Sequence, residues 1–269
     1  DGIASRGLGD VYKRQSSVAD FYYQILKFNK RKVASIGTLG VKSNNKYINL
    51  SNTTTDPIQL GKILNYLKNQ KVDDVILEAS SHGLSQNRLD GLKFNSGIFT
   101  NLSQDHLDYH KNLKDYLIAK LYLFEKLLSI KGNVITDEKI PEFRNIKKIA
   151  LKRNLKIYSI NNPKNHFKIL SHYFLGEKQM LTIKYKNLIK NIKLNLIGKI
   201  QLKNIMMAII AAQKSNLSLN KILEVIPKIR SVEGRLEKIG NIKNKSKVIL
   251  DYAHTCLLYT SDAADDVVG

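Results

Sequence analysis

Two polar segments, each released at the end of an apolar run, carry most of the reactive side chains of this sequence. The first is Val75-Ile-Leu-Glu-Ala-Ser-Ser-His-Gly-Leu-Ser-Gln-Asn-Arg88 and the second is Ile98-Phe-Thr-Asn-Leu-Ser-Gln-Asp-His-Leu-Asp-Tyr-His110. Each apolar run predicts a buried parallel strand, and the polar residues follow where that strand should stop. Ligands of open α/β sheets bind at the carboxyl ends of the strands. Carboxylate, hydroxyl and imidazole groups gathered there suit Mg²⁺ and a phosphorylated substrate.

Taken singly, these residues leave choices open. Glu78 ends a strand, so its carboxylate is desolvated, bound to a cation, or simply in solvent at the strand end. His106 and His110 are four apart, which places them on one face of a helix. Zinc sites use that spacing, but the glutamate of HExxH is absent and no third ligand is evident, so zinc is the weaker reading. Lys120 falls inside the apolar stripe formed by Leu113, Tyr116, Leu117, Phe124, Leu127 and Leu128. Such a lysine either snorkels to the rim or is converted by carbamylation into an anionic oxygen ligand; spacing alone favours the first. Ser16-Ser17 caps a helix, and alone means no more than that.

The elements that must position these groups read as an alternation. Ser16 to Lys30 is a helix with Val18, Phe21, Ile25 and Leu26 on one face, and Val33 to Gly37 is a short buried strand. Asn52 to Asp56 is a polar loop, and Asp56-Pro57 opens a helix to about Asn69. Val72 to Glu78 and Ser96 to Asn101 are the two site-bearing strands. Asn112 to Ile130 is a helix, Gly132 to Thr136 a strand, Pro141 to Asn154 a helix, and Lys156 to Ile160 a strand. This is an α/β chain with a mostly parallel sheet flanked by helices. Then His166 to Leu175, Gln179 to Tyr185 and Leu188 to Leu196 alternate polar and apolar residues, as a small antiparallel meander does. Helices follow at Gln201 to Ser215 and Leu219 to Ile229, and Val248 to Asp251 is a last strand.

Composition bounds the rest. The 269 residues, 43% hydrophobic, suffice for one large domain or two small ones. There is no apolar run of about 18 residues, so no transmembrane helix is expected. One cysteine, Cys256, rules out an internal disulfide framework and suits the cytoplasm. The net charge of +21 invites nucleic acid. Yet the lysines are scattered and accompany abundant Asn and Ile, a mixture that AT-rich coding produces. They read as a solvated surface that attracts anionic nucleotides rather than a nucleic-acid groove. Residues 1–15 and 256–269 lack this Lys/Asn/Ile texture and read as adaptor-derived sequence.

Glu78-Ala-Ser-Ser-His-Gly-Leu84 with Gln86 and Arg88, and Thr100-Asn-Leu-Ser-Gln-Asp-His-Leu-Asp-Tyr-His110, resemble the Mur ligase family. The likeness is to its UDP-N-acetylmuramoyl-tripeptide synthetase branch, which adds the third residue of the peptidoglycan stem peptide. Gly37-Thr-Leu-Gly40, Asn52-Thr-Thr54, Ala119-Lys120, Gly234-Arg-Leu-Glu237 and Asp251-Tyr-Ala-His-Thr255 extend the resemblance in order along the chain. It implies a P-loop-type central domain at 16–230 and the start of a C-terminal ligase domain at 231–255. It implies an ATP- and Mg²⁺-dependent amide ligase, acting as a monomer. ATP would phosphorylate the D-glutamyl carboxylate of UDP-N-acetylmuramoyl-L-alanyl-D-glutamate, and a diamino acid would attack the acyl phosphate. No nucleic acid or membrane partner is implied.

Residue by residue, the resemblance makes Ser16 the magnesium-binding hydroxyl at the end of a phosphate loop. Glu78 resembles the ligand of the ATP-side Mg²⁺. His106 resembles a ligand of a second Mg²⁺, and Lys120 the carbamylated lysine that helps hold it. Asn52, Thr53, Thr54, Ser80, Gln86 and Arg88 match substrate-binding positions, and Asn204, Arg235 and Asp251 match ATP-binding ones. His82 and His110 remain local hydrogen-bonding residues. Gln201 stands where the family usually has Asn, and Cys256 where it has Pro. The phosphate-loop lysine, the uridine-binding domain and most of the C-terminal domain are not in the sequence, so the chain by itself is expected to be inactive.

Overall fold

The computed structural model describes residues 10–43, 46–102, 109–160, 167–175, 178–185, 188–234, 237–241 and 247–250. Helix α1 (Asp10–Phe28) buries Val18, Phe21, Tyr22, Ile25 and Leu26, which recur at helical spacing. It begins ahead of the Ser16 expected from sequence. Strand β1 (Val33–Gly37) is buried along its whole length. The antiparallel strands β2 (Gly40–Ser43) and β3 (Lys46–Ile48) follow, a ribbon the sequence did not announce. Gly40 permits it: its φ is +76°, and a Cβ there would lie 2.4 Å from the Ile48 carbonyl oxygen.

Helix α2 (Pro57–Asn69) starts where the Asp56-Pro57 pair predicts, with the Asp56 side chain accepting from the Gln59 N–H. Strand β4 (Asp74–Leu77) leads into the short helix α3 (Ser81–Ser85), capped by Ser80, and β5 (Phe94–Ile98) comes next.

Helix α4 (Leu113–Tyr122) passes into a π-helical turn, Leu123–Leu127, and then straight into β6 (Leu128–Thr136). The single helix expected from Asn112 to Ile130 is therefore cut short. Leu128 pairs with Phe94 of β5, and Arg153 donates to the carbonyls of Phe124 (2.9 Å) and Leu128 (3.0 Å). Sheet pairing and this carbonyl cap override helical propensity. Leu113, assigned by spacing to the buried stripe, is exposed in the first turn.

Helix α5 (Phe143–Lys152) and β7 (Lys156–Ser159) complete this part of the chain. The meander is present as β8 (Phe167–Leu175), β9 (Lys178–Tyr185) and β10 (Leu188–Leu194), in order β10-β9-β8. Helices α6 (Lys199–Lys214) and α7 (Leu219–Val225) follow, and β11 (Glu237–Asn241) pairs with β12 (Lys247–Leu250).

The fold is α/β, with parallel strands flanked by helices beside the antiparallel meander, and among the described residues the parallel pairings fall in two sheets. One has the order β3-β2-β1-β4, with β1 and β4 parallel; the other, β5-β6-β7, is parallel throughout. One apolar core lies under α1 and α6 and reaches the meander through Leu181, Ile183, Ile192 and Leu194. Two further clusters lie around α2 and α3 and around α5 with the π turn. No described helix is long and apolar enough to cross a membrane.

Candidate active site

Glu78 follows the last residue of β4 and is 6% exposed. Its backbone N–H still bonds to Ile36, so the strand holds it rigidly. Three donors converge on its carboxylate. Ser16 Oγ donates to Oε2 (2.9 Å), Thr38 Oγ1 donates to Oε2 (3.0 Å), and the Thr38 N–H donates to Oε1 (3.1 Å). A buried carboxylate is tolerable only when so satisfied. Gly37 lets it come this close to the backbone, because a Cβ there would fall 2.2 Å from Oε1. Thr53 Oγ1 adds a further hydroxyl, 3.1 Å from Thr38 Oγ1.

This donor set is all oxygen: one carboxylate and the hydroxyls of Ser16, Thr38 and Thr53. It fits a hard cation such as Mg²⁺, which takes few protein ligands and keeps water or phosphate oxygens for the rest. Among the described residues no three His, Cys, Asp or Glu side chains cluster as a metal set.

A second network grows from Thr54. Its Oγ1 donates to the Glu78 carbonyl (2.9 Å) and accepts from Ser80 N–H (2.9 Å) and Ser80 Oγ (3.0 Å). Arg88 Nη1 donates to the Thr54 carbonyl (2.7 Å), and its Nε donates to Gln86 Oε1 (2.8 Å). Gln86 Nε2 in turn donates to the Tyr109 hydroxyl (3.1 Å), which also accepts from Ser85 Oγ (3.2 Å). These two donors hold the Tyr109 phenol below its usual pKa. The predicted substrate residues Thr53, Thr54, Ser80, Gln86 and Arg88 thus form one connected shelf beside Glu78. Asn52 is exposed at its edge.

Lys120 sits in the last turn of α4 and is 6% exposed, so it does not snorkel to the rim. Its Nζ donates to the Asn101 carbonyl (2.9 Å) and stands over the rings of Tyr116 (5.0 Å) and Phe99 (5.6 Å). The Glu142 carboxyl lies within reach of its charge. Burial holds the Glu142 pKa above its usual value, a rise that its own backbone N–H and then the Lys120 ammonium only partly offset. A column of rings joins the two regions. His82 on α3 lies 5.7 Å from His110, which stacks on Tyr116 at 5.1 Å. The segments that follow β4 and β5 therefore meet, and Glu78 and Lys120 line one cavity of about 580 Å³.

Other predicted residues stand elsewhere. Asn204 is buried on α6, its Nδ2 donating to Gln201 Oε1 (2.9 Å), and it is not among the residues lining that cavity. His106, Arg235 and Asp251 lie outside the described residues.

Residues 15–212 match the Mur ligase middle domain. The chain belongs to that family. A UDP-N-acetylmuramoyl-L-alanyl-D-glutamate–2,6-diaminopimelate ligase of Zymomonas mobilis subsp. mobilis is 34% identical over 241 residues, covering 90% of this chain and 50% of that protein. The Rickettsia bellii ligase of the same name is 34% identical over 246 residues, 90% of this chain and 51% of its own. The chain thus spans about half the length of the curated relatives it matches. A solved ligase of that name superposes with a TM-score of 0.77 at 26% identity, over 89% of this chain and 48% of the other. MurF from Acinetobacter baumannii gives 0.66 at 14% identity, over 85% and 47%, and apo L. casei FPGS 0.68 at 14%, over 89% and 65%. These last two share the fold.

Within this Mur ligase middle domain, sequence reasoning assigned no role to Thr38, Tyr109, Asn101 or Glu142. Thr38 was visible in Gly37-Thr-Leu-Gly40, and Tyr109 in the second polar segment. Asn101 acts through its carbonyl, and Glu142 is far away in sequence, so neither left a pattern.

Proposed function

We propose that the full-length protein is an ATP-dependent amide ligase that adds a diamino acid to UDP-N-acetylmuramoyl-L-alanyl-D-glutamate in the cytoplasm. The amino acid is 2,6-diaminopimelate, the one named for the relatives in Zymomonas mobilis and Rickettsia bellii. Residues 16–230 form the central ATP-binding domain, and 231–255 open the C-terminal ligase domain. The observation that carries this reading is the Glu78 carboxylate, fixed by Ser16 Oγ at 2.9 Å at the carboxyl end of a parallel strand.

The D-glutamyl carboxylate attacks the γ-phosphorus of ATP and ADP leaves. The amine of the diamino acid then attacks the acyl carbon, the C–O bond to phosphate breaks, and the amine proton is released. Bound Mg²⁺ supplies charge neutralisation at the transferring phosphoryl group. Glu78, Ser16 and Thr38 are the residues of this chain that would hold it on the ATP side. Lys120, as its carbamate, together with His106, would supply oxygen and imidazole to a second ion. Arg88, through Thr54 and Gln86, keeps the substrate shelf rigid, so that carboxylate and phosphate meet in line. Asn204, Arg235 and Asp251 remain ATP-side assignments, and Asn52 and Ser80 substrate-side ones.

A chimera in which residues 16–255 replace the matching segment of the Zymomonas mobilis relative tests this. Phosphate release should require UDP-N-acetylmuramoyl-L-alanyl-D-glutamate and diaminopimelate together. Release that ignores the muramoyl substrate, or none from a folded chimera, counts against it.

A further inference from the structure

We propose that the outer face of the β8-β9-β10 meander, with the projecting end of its first hairpin, docks on an anionic membrane surface, a partner that the family resemblance does not imply. The inner face of this sheet is already covered: Leu181, Ile183, Ile192 and Leu194 are buried in the core under α1 and α6. The strand register turns Lys168, Lys178, Lys184 and Lys193 to the opposite face. Tyr173, Leu175 and Ile189 share that face with them, and all three are exposed.

The charge on this face has no counterpart within the sheet. Lys168 stands directly opposite Lys184. Lys178 lies close enough to Lys193 to hold its ammonium below the usual pKa. Like charges set against one another destabilise a sheet. By register, no acidic side chain among the described residues shares the face. Residues 167–194 carry six lysines against one acid, Glu177. Such a surface is complementary to an anionic partner.

Three observations choose a membrane among anionic partners. First, the end of β8 is apolar and exposed on both faces. Tyr173, Phe174 and Leu175 are consecutive, and they are 52%, 58% and 62% exposed. Successive strand residues point to opposite faces, so this end projects beyond the core as a blade. A flat protein surface would cover one side of it, whereas a lipid interface surrounds both. Second, the blade is held before it binds. His172 Nε2 and Gln179 Oε1 are 2.8 Å apart, and the Phe174 ring packs edge-on against His172 at 5.1 Å. Little ordering is left to be lost on insertion. Third, residues 167–194 contain no arginine, and Tyr173 is the one aromatic side chain on the outer face among the described residues. Arginine forks read phosphorylated peptides, and rows of rings stack nucleic-acid bases. Scattered ammonium groups on flexible stems, with a tyrosine at the boundary, suit a fluid layer of anionic headgroups.

The 269-residue chain is mixed with vesicles of phosphatidylcholine alone, or with about a quarter phosphatidylserine, and bound protein is measured by flotation. The anionic vesicles should bind at least about tenfold more tightly. The chain has no tryptophan, so Phe174→Trp supplies a single indole. Its emission should move to the blue on anionic vesicles and be quenched by brominated acyl chains. Lys178→Gln with Lys193→Gln should weaken binding about twentyfold, roughly fivefold per lysine, without lowering the melting temperature. The same change at Lys147 and Lys148, exposed on α5, should cost less than about twofold. Equal losses from the two pairs would assign binding to the overall charge of +21 and overturn the proposal. So would binding without the blue shift, or no preference for anionic vesicles. Tighter binding to polyglutamate or to a single-stranded oligonucleotide would overturn it too, making a protein or a nucleic acid the occupant. Neither nucleotide nor muramoyl substrate is present, so the outcome is separate from that of the ligase assay.

Discussion

Ser16 Oγ and Glu78 Oε2 are 2.9 Å apart although the residues are separated by 62 positions. The contact ties α1 to the end of β4 and buries both partners. Replacing Glu78 by Gln keeps the shape but removes a full negative charge. In the chimera, Glu78→Gln should lower kcat by at least about a hundredfold, the range typical of losing one preorganised electrostatic group. In the 269-residue chain it should shift the melting temperature by only a few degrees, as expected for about 1 kcal/mol. A variant enzyme within threefold of the parent (about 0.7 kcal/mol) would remove Glu78 from the chemistry.

Gly37 is required by that carboxylate. An added Cβ would meet Glu78 Oε1 at 2.2 Å, so Gly37→Ala should destabilise the chain by about 1–3 kcal/mol. The strain lies against one side chain, so it should largely vanish in a Glu78→Ala background. Chemical denaturation of the four proteins of this double-mutant cycle measures the coupling. Additive effects would place the strain elsewhere.

How much of this could be read in advance depends on what held each element. Asp56-Pro57 announced α2 because cap and proline act locally. The meander was legible because one face alternates, with Leu181, Ile183, Ile192 and Leu194 buried. The end of α4 was not legible, since it is set by Arg153 reaching back to Phe124 and Leu128. Among the motif residues, Glu78, Thr54, Ser80 and Arg88 lie together in one hydrogen-bonded network. Spacing alone misjudged Lys120, whose burial depends on Phe99 and Asn101 from another segment.

Tyr22 gives the folded chain an alkaline limit. Its hydroxyl lies 2.7 Å from Ser215 Oγ, and burial pushes its pKa from 10.0 up to about 12. The folded state therefore keeps a proton that the unfolded state releases. The associated stability is fully present below pH 10.0 and is lost as pH rises towards about 12, at most about 2.7 kcal/mol. Tyr22→Phe should flatten the fall in unfolding free energy over that window, as measured by urea titration at several pH values. An equally steep fall in the variant would assign it to other groups.

The Arg88 guanidinium donates to Thr54 and Gln86, both on the proposed substrate shelf. Arg88→Ala in the chimera should raise KM for the muramoyl nucleotide about tenfold or more, and leave KM for ATP within about twofold. Equal rises in both would mean that the shelf also positions nucleotide.

Lys120 is enclosed by Tyr116 and Phe99, with its Nζ on the Asn101 carbonyl. Carbamylation would form an N–C bond between Nζ and carbon dioxide with loss of protons, turning a cation into an anion. That anion loses the ring contacts and the carbonyl acceptor, so it is disfavoured until a divalent cation compensates it. Isotope-labelled bicarbonate should accordingly give a lysine carbamate signal by NMR in the chimera only when Mg²⁺ is added. The signal should be absent in Lys120→Arg, which preserves positive charge but cannot be carbamylated at Nζ. A signal of equal size without Mg²⁺ would show that the pocket accepts the anion unaided. A signal persisting in Lys120→Arg would place the carbamate on another lysine.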